Sequence, residues 1–165
     1  MIPYRDLKPT KKFPLVTLLL IACNIAVFTY MLILPLSETN LFVYRYSAIP
    51  LEFRLGRNLS VSPGIEPIFT VFTAMFMHGG WFHIIGNMLY LWIFGVNVEG
   101  ALGHFKFFSF YMLCGFLATF AQIYTNFSST IPLLGASGAI AGILAAYLRL
   151  FPKAKIAVLV PIFIF

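Results

Sequence analysis

Charge is scarce in this 165-residue chain: Lys, Arg, Asp and Glu together make up 10% of it, and only five residues are acidic. Soluble domains carry about 25% charged residues, so an ordinary soluble domain is excluded. Intrinsic disorder is excluded too, because it requires low hydrophobicity and high charge. Cysteine is almost missing. Cys23 and Cys114 each sit inside an apolar run, too far apart for a C-x-x-C pair, and read as small buried apolar residues with no metal site between them. No basic stripe interleaved with aromatics is present, so nucleic acid is not an expected partner. What fills the chain is apolar: 61% hydrophobic residues, nineteen Phe and eight Tyr. This composition predicts a polytopic membrane protein with the lipid bilayer as its surroundings.

A basic segment over residues 1–14, with Arg5, Lys8, Lys11 and Lys12, precedes the first apolar run, Leu15 to Leu34. Twenty helical residues reach about 30 Å, the thickness of a hydrocarbon core. That run is too long for a signal-peptide core and no A-x-A-type site follows it, so it reads as a membrane anchor. Residues 37–67 are polar and aromatic, with Pro50, Pro63 and Pro67. This is too long for a passive connector and predicts a structured loop with interfacial pieces. Ile68 to Met77 is apolar but too short to span. Further spans are expected over about Trp81–Val98, Phe105–Tyr124 and Leu133–Phe151, with a polar turn at Thr125–Thr130. The last run, Ile156 to Phe165, would cover only about 15 Å as a helix. It reads as the start of a fifth span, and the chain as a fragment of a longer protein, since a terminal carboxylate in hydrocarbon is costly. The domain expectation is therefore a membrane domain over 15–165 behind the basic segment. The fold-class expectation is an all-α helical bundle with four complete transmembrane helices plus the start of a fifth.

Basic residues orient such a protein. With the N-terminus inside, the inner side holds Arg5, Lys8, Lys11, Lys12, Lys106, Arg149, Lys153 and Lys155. The outer side then holds only Arg45, Arg54 and Arg57. This predicts a cytoplasmic N-terminus, an external 37–67 loop, and external N-terminal ends for the second and fourth helices.

Polar groups inside membrane helices are functional candidates. His83 and Asn87, four apart, share one face of the second helix. By themselves they also fit interhelical hydrogen-bond glue. Ser137 lies in Leu-Gly-Ala-Ser-Gly-Ala-Ile-Ala-Gly at 134–142, where Gly135, Gly138 and Gly142 permit close helix approach. By itself this fits a packing motif. It is not the G-x-S-x-G elbow of soluble hydrolases, because Ala139 holds the last position. Together, the two sites share a membrane side and a depth. A serine nucleophile needs a base and donors for the developing oxyanion. The Asn87 amide, the His83 ring N–H and the peptide N–H of Ser137 at a helix N-terminus could be those donors.

The sequence resembles the rhomboid intramembrane serine proteases. The resemblance rests on FTAMFMHGGWFHIIGNMLYLWIFGVNVEGALGH (72–104), FYMLCG (110–115) and IPLLGASGAIAGILAAYLRLFP (131–152). Its core is H-x-x-x-N on the second helix with G-x-S-G opening the fourth. The resemblance implies a bundle of at least six helices, with Ser137 as nucleophile and His83 and Asn87 as oxyanion stabilisers. Gly135 and Gly138 would flank the nucleophile, His78 would take a structural or water-related place in the external loop, and Glu99 would be a structural acid at the inner end of the second helix. His104 matches no chemical role and reads as an interfacial or solvated histidine.

Two departures stand out. The family's general base is a histidine on the sixth helix, and none of His78, His83 or His104 occupies that position. The family's external Trp-Arg pair is also absent before Phe69. The implied reaction is hydrolysis of peptide bonds in membrane-spanning protein substrates, with no metal or organic cofactor, and the supplied chain is expected to be inactive alone. An inactive rhomboid-like protein that binds client transmembrane helices is the alternative. A transporter or channel is disfavoured, because no Asp, Glu, Lys or Arg falls at mid-span. With no organelle-targeting presequence in view, a bacterial cell membrane is the expected location. No pattern speaks to an oligomeric state.

Overall fold

A computed structural model describes residues 2–7, 10, 12–59 and 65–159. Lys8 and Lys11 of the basic segment, positions 60–64 of the long loop and positions 160–165 of the last apolar run lie outside the described residues. The chain is mostly helical, as expected of a membrane bundle. Three helices are long and apolar enough to cross a bilayer: Leu15–Ile33, Trp81–Leu102 and His104–Thr125.

The first, α1 (Leu15–Ile33), is the uninterrupted apolar run and ends before Pro35. The long loop holds two short helices, α2 (Leu36–Tyr46) and α3 (Pro50–Leu55). Prolines supply a pre-set φ before or at the first turn of both. The short apolar run at 68–77 becomes α4 (Pro67–Ala74). The second span is one continuous rod made of α5 (Trp81–Tyr90), a π-helical turn at Leu91–Gly95, and α6 (Val96–Leu102). A π turn inserts an extra residue, and so rotates the following helix faces relative to those before it. A single residue, Gly103 at φ +81°, then reverses the chain into α7 (His104–Thr125). Only glycine adopts that backbone cheaply.

The fourth helix, α8 (Ser137–Leu150), has 14 residues, about 21 Å, and is shorter than the expected Leu133–Phe151 span. Residues 131–136 are not helical, and part of their backbone is paired within the protein. Leu133 and Ala48 exchange two hydrogen bonds at 2.8 and 3.1 Å, and the Gly135 N–H donates to the Ala74 carbonyl at 2.8 Å. Non-helical backbone at membrane depth persists only where it is paired in this way.

The expected start of a fifth helix is corrected over its described part, Ile156–Leu159. Ile156–Leu159 forms a strand, β2, antiparallel to β1 (Ile2–Asp6). Four apolar residues rich in β-branched types fit a strand as well as a helix, and pairing to β1 decides between them.

Packing fixes helix directions. An added Cβ on Gly138 would sit 2.5 Å from the Ala118 Cβ, and one on Gly142 would run into Cys114. Those pairs progress in opposite senses, so α7 and α8 are antiparallel. The core runs along the second span, with Leu91, Phe94, Phe107, Tyr111, Ile143 and Tyr147 buried around it.

Candidate active site

The backbone at Gly135 prepares the site. Its φ of +121° is strained for any side chain, and its N–H is tied to Ala74. The turn that follows delivers Ser137 as the first residue of α8, exposed and with its hydroxyl unbonded to any described residue. The first helical hydrogen bond here runs from Ile140 N–H to the Ala136 carbonyl. The N–H groups of Ser137, Gly138 and Ala139 therefore have no acceptor within the helix, and they stand at its positive end.

The second span brings its polar face to the same place. A Cβ on Gly135 would lie 2.7 Å from His83 Nε2, 2.8 Å from His83 Cε1 and 3.9 Å from Asn87 Nδ2. The His83 ring thus fills the space a side chain at 135 would need. Both polar side chains of the H-x-x-x-N pattern converge on the residue two positions before Ser137. A cavity of about 40 Å³ beside Ser137, bounded by Ala74, Thr119, Gln122 and Gly138, has room for a water.

His78, in the connection before α5, closes the cluster from behind. It is 1% exposed, and its ring meets the His83 ring edge-on at 4.9 Å between centroids. Asn87 Nδ2 donates to His78 Nε2 at 2.9 Å. An amide nitrogen carries only hydrogens, so His78 Nε2 must be the bare nitrogen. Burial first, and the neighbouring His83 second, lower the His78 pKa to about 4, which keeps that nitrogen free to accept. Asn87 keeps a second amide hydrogen for a ligand.

Glu99 lies away from this cluster, near the other end of the second span. It is 2% exposed, and its carboxylate accepts from Val16 N–H and Thr17 N–H at 2.8 Å each and from the Thr17 hydroxyl at 2.6 Å. It therefore caps the first turn of α1 from a different helix. His104, expected to be solvated, also donates its Nδ1 hydrogen to Glu99 at 2.6 Å, although more than half of its side chain stays exposed.

Sequence reasoning gave no role to three residues that the structure makes central to this end. Asn97 accepts from Thr10 N–H at 2.7 Å and donates to Asp6 at 2.9 Å, and Tyr147 donates to the same Asp6 oxygen at 2.5 Å. The signal available was Asp6 itself, the one acidic residue in a strongly basic segment. No group of three or more His, Cys, Asp or Glu able to hold a metal occurs among the described residues.

Comparison with known proteins agrees with this architecture. The Rhomboid domain family model matches residues 66–165. The presenilin-associated rhomboid-like protein, mitochondrial, of Bos taurus is 30% identical over 131 residues, covering 76% of this chain and 35% of that protein. The mitochondrial Rhomboid protein 1 of Saccharomyces cerevisiae is 35% identical over 95 residues, covering 55% and 28%. RHOMBOID-like protein 1 of Arabidopsis thaliana is 30% identical over 102 residues, covering 62% and 26%. The chain thus spans about a third or less of the curated relatives it matches. The expectation of a bacterial cell membrane is overturned by these relatives, which are mitochondrial or from a plant. The membrane character of the chain stands.

Proposed function

The chain belongs to the rhomboid family, and from that premise we propose that it is the part of an intramembrane serine endopeptidase that carries the nucleophile and the oxyanion donors. The observation behind this reading is the convergence of His83 and Asn87 on Gly135, two residues from an exposed serine at a helix N-terminus. The Ser137 Oγ attacks a scissile carbonyl carbon, and its proton leaves to a base. The carbonyl oxygen becomes an oxyanion and accepts hydrogen bonds from the Ser137 peptide N–H, the free Asn87 amide hydrogen and the His83 ring N–H. Each such donor contributes about 10²–10³ in rate.

The base is not among this chain's histidines. His78 is committed to Asn87, His83 serves as a donor, and His104 sits at the far end on Glu99. The resemblance assigns the base to a histidine on a further helix. Substrates on this reading are membrane-spanning proteins whose helices unwind at the Ser137 end, which exposes a carbonyl that the helix otherwise occupies.

The test is labelling of the full-length protein by a serine-reactive fluorophosphonate. Labelling that disappears in Ser137→Ala is expected, with labelling rates in Asn87→Ala about 10²-fold down. No labelling, or labelling that survives Ser137→Ala, overturns the reading and leaves a rhomboid-like protein that holds client helices without cutting them.

A further inference from the structure

The N-terminal segment does more than lead into α1. β1 pairs with β2, Thr10 N–H reaches Asn97, Lys12 Nζ donates to the Gly100 carbonyl at 2.8 Å, and Asp6 meets both Asn97 and Tyr147. Of these contacts, the one at Asp6 is distinctive. A single carboxylate oxygen, Oδ2, accepts from a side chain on the second span and from one on α8. Asp6 is itself buried, 6% exposed, and with Tyr147 it lines the wall of a cavity.

The depth of that bridge matters. Asn97 follows Asn87 by ten positions, and Tyr147 follows Ser137 by ten. Ten helical residues advance about 15 Å. The second span and α8 run parallel: His83 meets Gly135 at one end, and Phe94 meets Tyr147, ring to ring at 5.0 Å, toward the other. Asp6 thus joins two parallel rods, on each of them ten residues below a group that must meet at the site. An axial slip of one rod against the other would move Ser137 relative to Asn87 by the same amount. Packed side chains resist such a slip, and two hydrogen bonds to one oxygen add a directional restraint tied to both rods.

We propose that Asp6 is a positioning residue, whose Oδ2 sets the axial register between the helix carrying the oxyanion donors and the helix carrying the nucleophile. The proposal rests on the serine-protease reading above. Misplacement of reacting groups by about 1 Å costs up to roughly 10²-fold in rate.

The test uses the full-length protein in detergent and measures both the rate constant and the end point of fluorophosphonate labelling. Asp6→Leu and Tyr147→Phe should each lower the rate constant at least about tenfold, while the end point stays complete. In cleavage of a transmembrane substrate, kcat should fall by the same factor with KM within about twofold. The double variant should be no slower than the slower single one, because both remove one bridge. Asp6→Asn, which keeps an acceptor oxygen, should stay within about threefold of wild type. Lys12→Met breaks a contact of the same segment to the second span only, and should label at the wild-type rate.

Wild-type rates in Asp6→Leu, a reduced end point at an unchanged rate, or an equal loss in Lys12→Met would each overturn the positioning role and leave the protease reading intact. Absence of Ser137-dependent labelling in the wild type would overturn both.

Discussion

At His78, burial and the adjacent His83 ring both oppose a positive charge, and the imidazole stays neutral down to about pH 4. An unfolded histidine titrates near pH 6.5. Above that pH both states hold the neutral ring, and His78 adds no pH dependence. As pH falls from about 6.5 toward 4, the unfolded state takes up a proton that the folded state refuses, so stability is lost across that window, by about 3 kcal/mol at most. Protonation would also cost the site directly, since a protonated Nε2 cannot accept from Asn87. His78→Gln retains an acceptor oxygen and does not titrate. Its thermal stability in detergent should therefore fall less than the wild type's between pH 7 and pH 4.5. All other titrating groups are common to both proteins, so parallel curves would refute the assignment. By resemblance, the sequence offered His78 a structural or water-related place in the external loop, without the partner that fills it. Its role emerges from a bond to Asn87 that spacing along one chain cannot show.

Helices meet in this bundle at glycines, and the α7–α8 contact is the tightest test of that. Gly138 faces Ala118 and Gly142 faces Cys114, so small residues alternate along an antiparallel seam where dispersion contacts drive association. Gly138→Ala brings two Cβ atoms into overlap and should destabilise by about 1–3 kcal/mol. Adding Ala118→Gly removes the opposing methyl, and the double variant should recover to within about 1 kcal/mol of wild type, the residual being the cost of glycine in a helix. Denaturant unfolding in mixed micelles would measure both; additive losses would show that the seam does not act through this contact. The seam was readable in outline, since Gly135, Gly138 and Gly142 announce close packing. The three long spans were readable for a simple reason as well: about twenty apolar residues have few other places to go. The short elements were not. Ile156–Leu159 carries no period that separates strand from helix, and its partner β1 lies at the other end of the sequence. The shortening of α8 was hidden because residues 133–136 are apolar like a span, yet Leu133 and Gly135 spend their backbone bonds on Ala48 and Ala74.

Across the whole molecule, polar chemistry is divided between two ends. His83 and Glu99 are sixteen positions apart on one rod, about 24 Å and most of a hydrocarbon thickness. Near one end lie Ser137, Asn87 and His78. Near the other, Glu99, Asn97 and Asp6 gather the N-terminal segment. The second span and α7 are long enough to separate these ends across a bilayer, but α8 by itself, at about 21 Å, is not. It crosses only if the non-helical 131–136 segment completes its path within the protein, held by Ala48 and Ala74. That is testable with single cysteines in a Cys23→Ala, Cys114→Ala background. Thr130→Cys precedes the segment and Lys153→Cys follows α8, and both positions are exposed. In sealed vesicles of uniform orientation, a membrane-impermeant maleimide should reach one of them at once and the other only after the membrane is opened. Equal labelling of both from one side would mean that α8 does not cross, and that Ser137 and the Asp6 bridge share a face of the membrane.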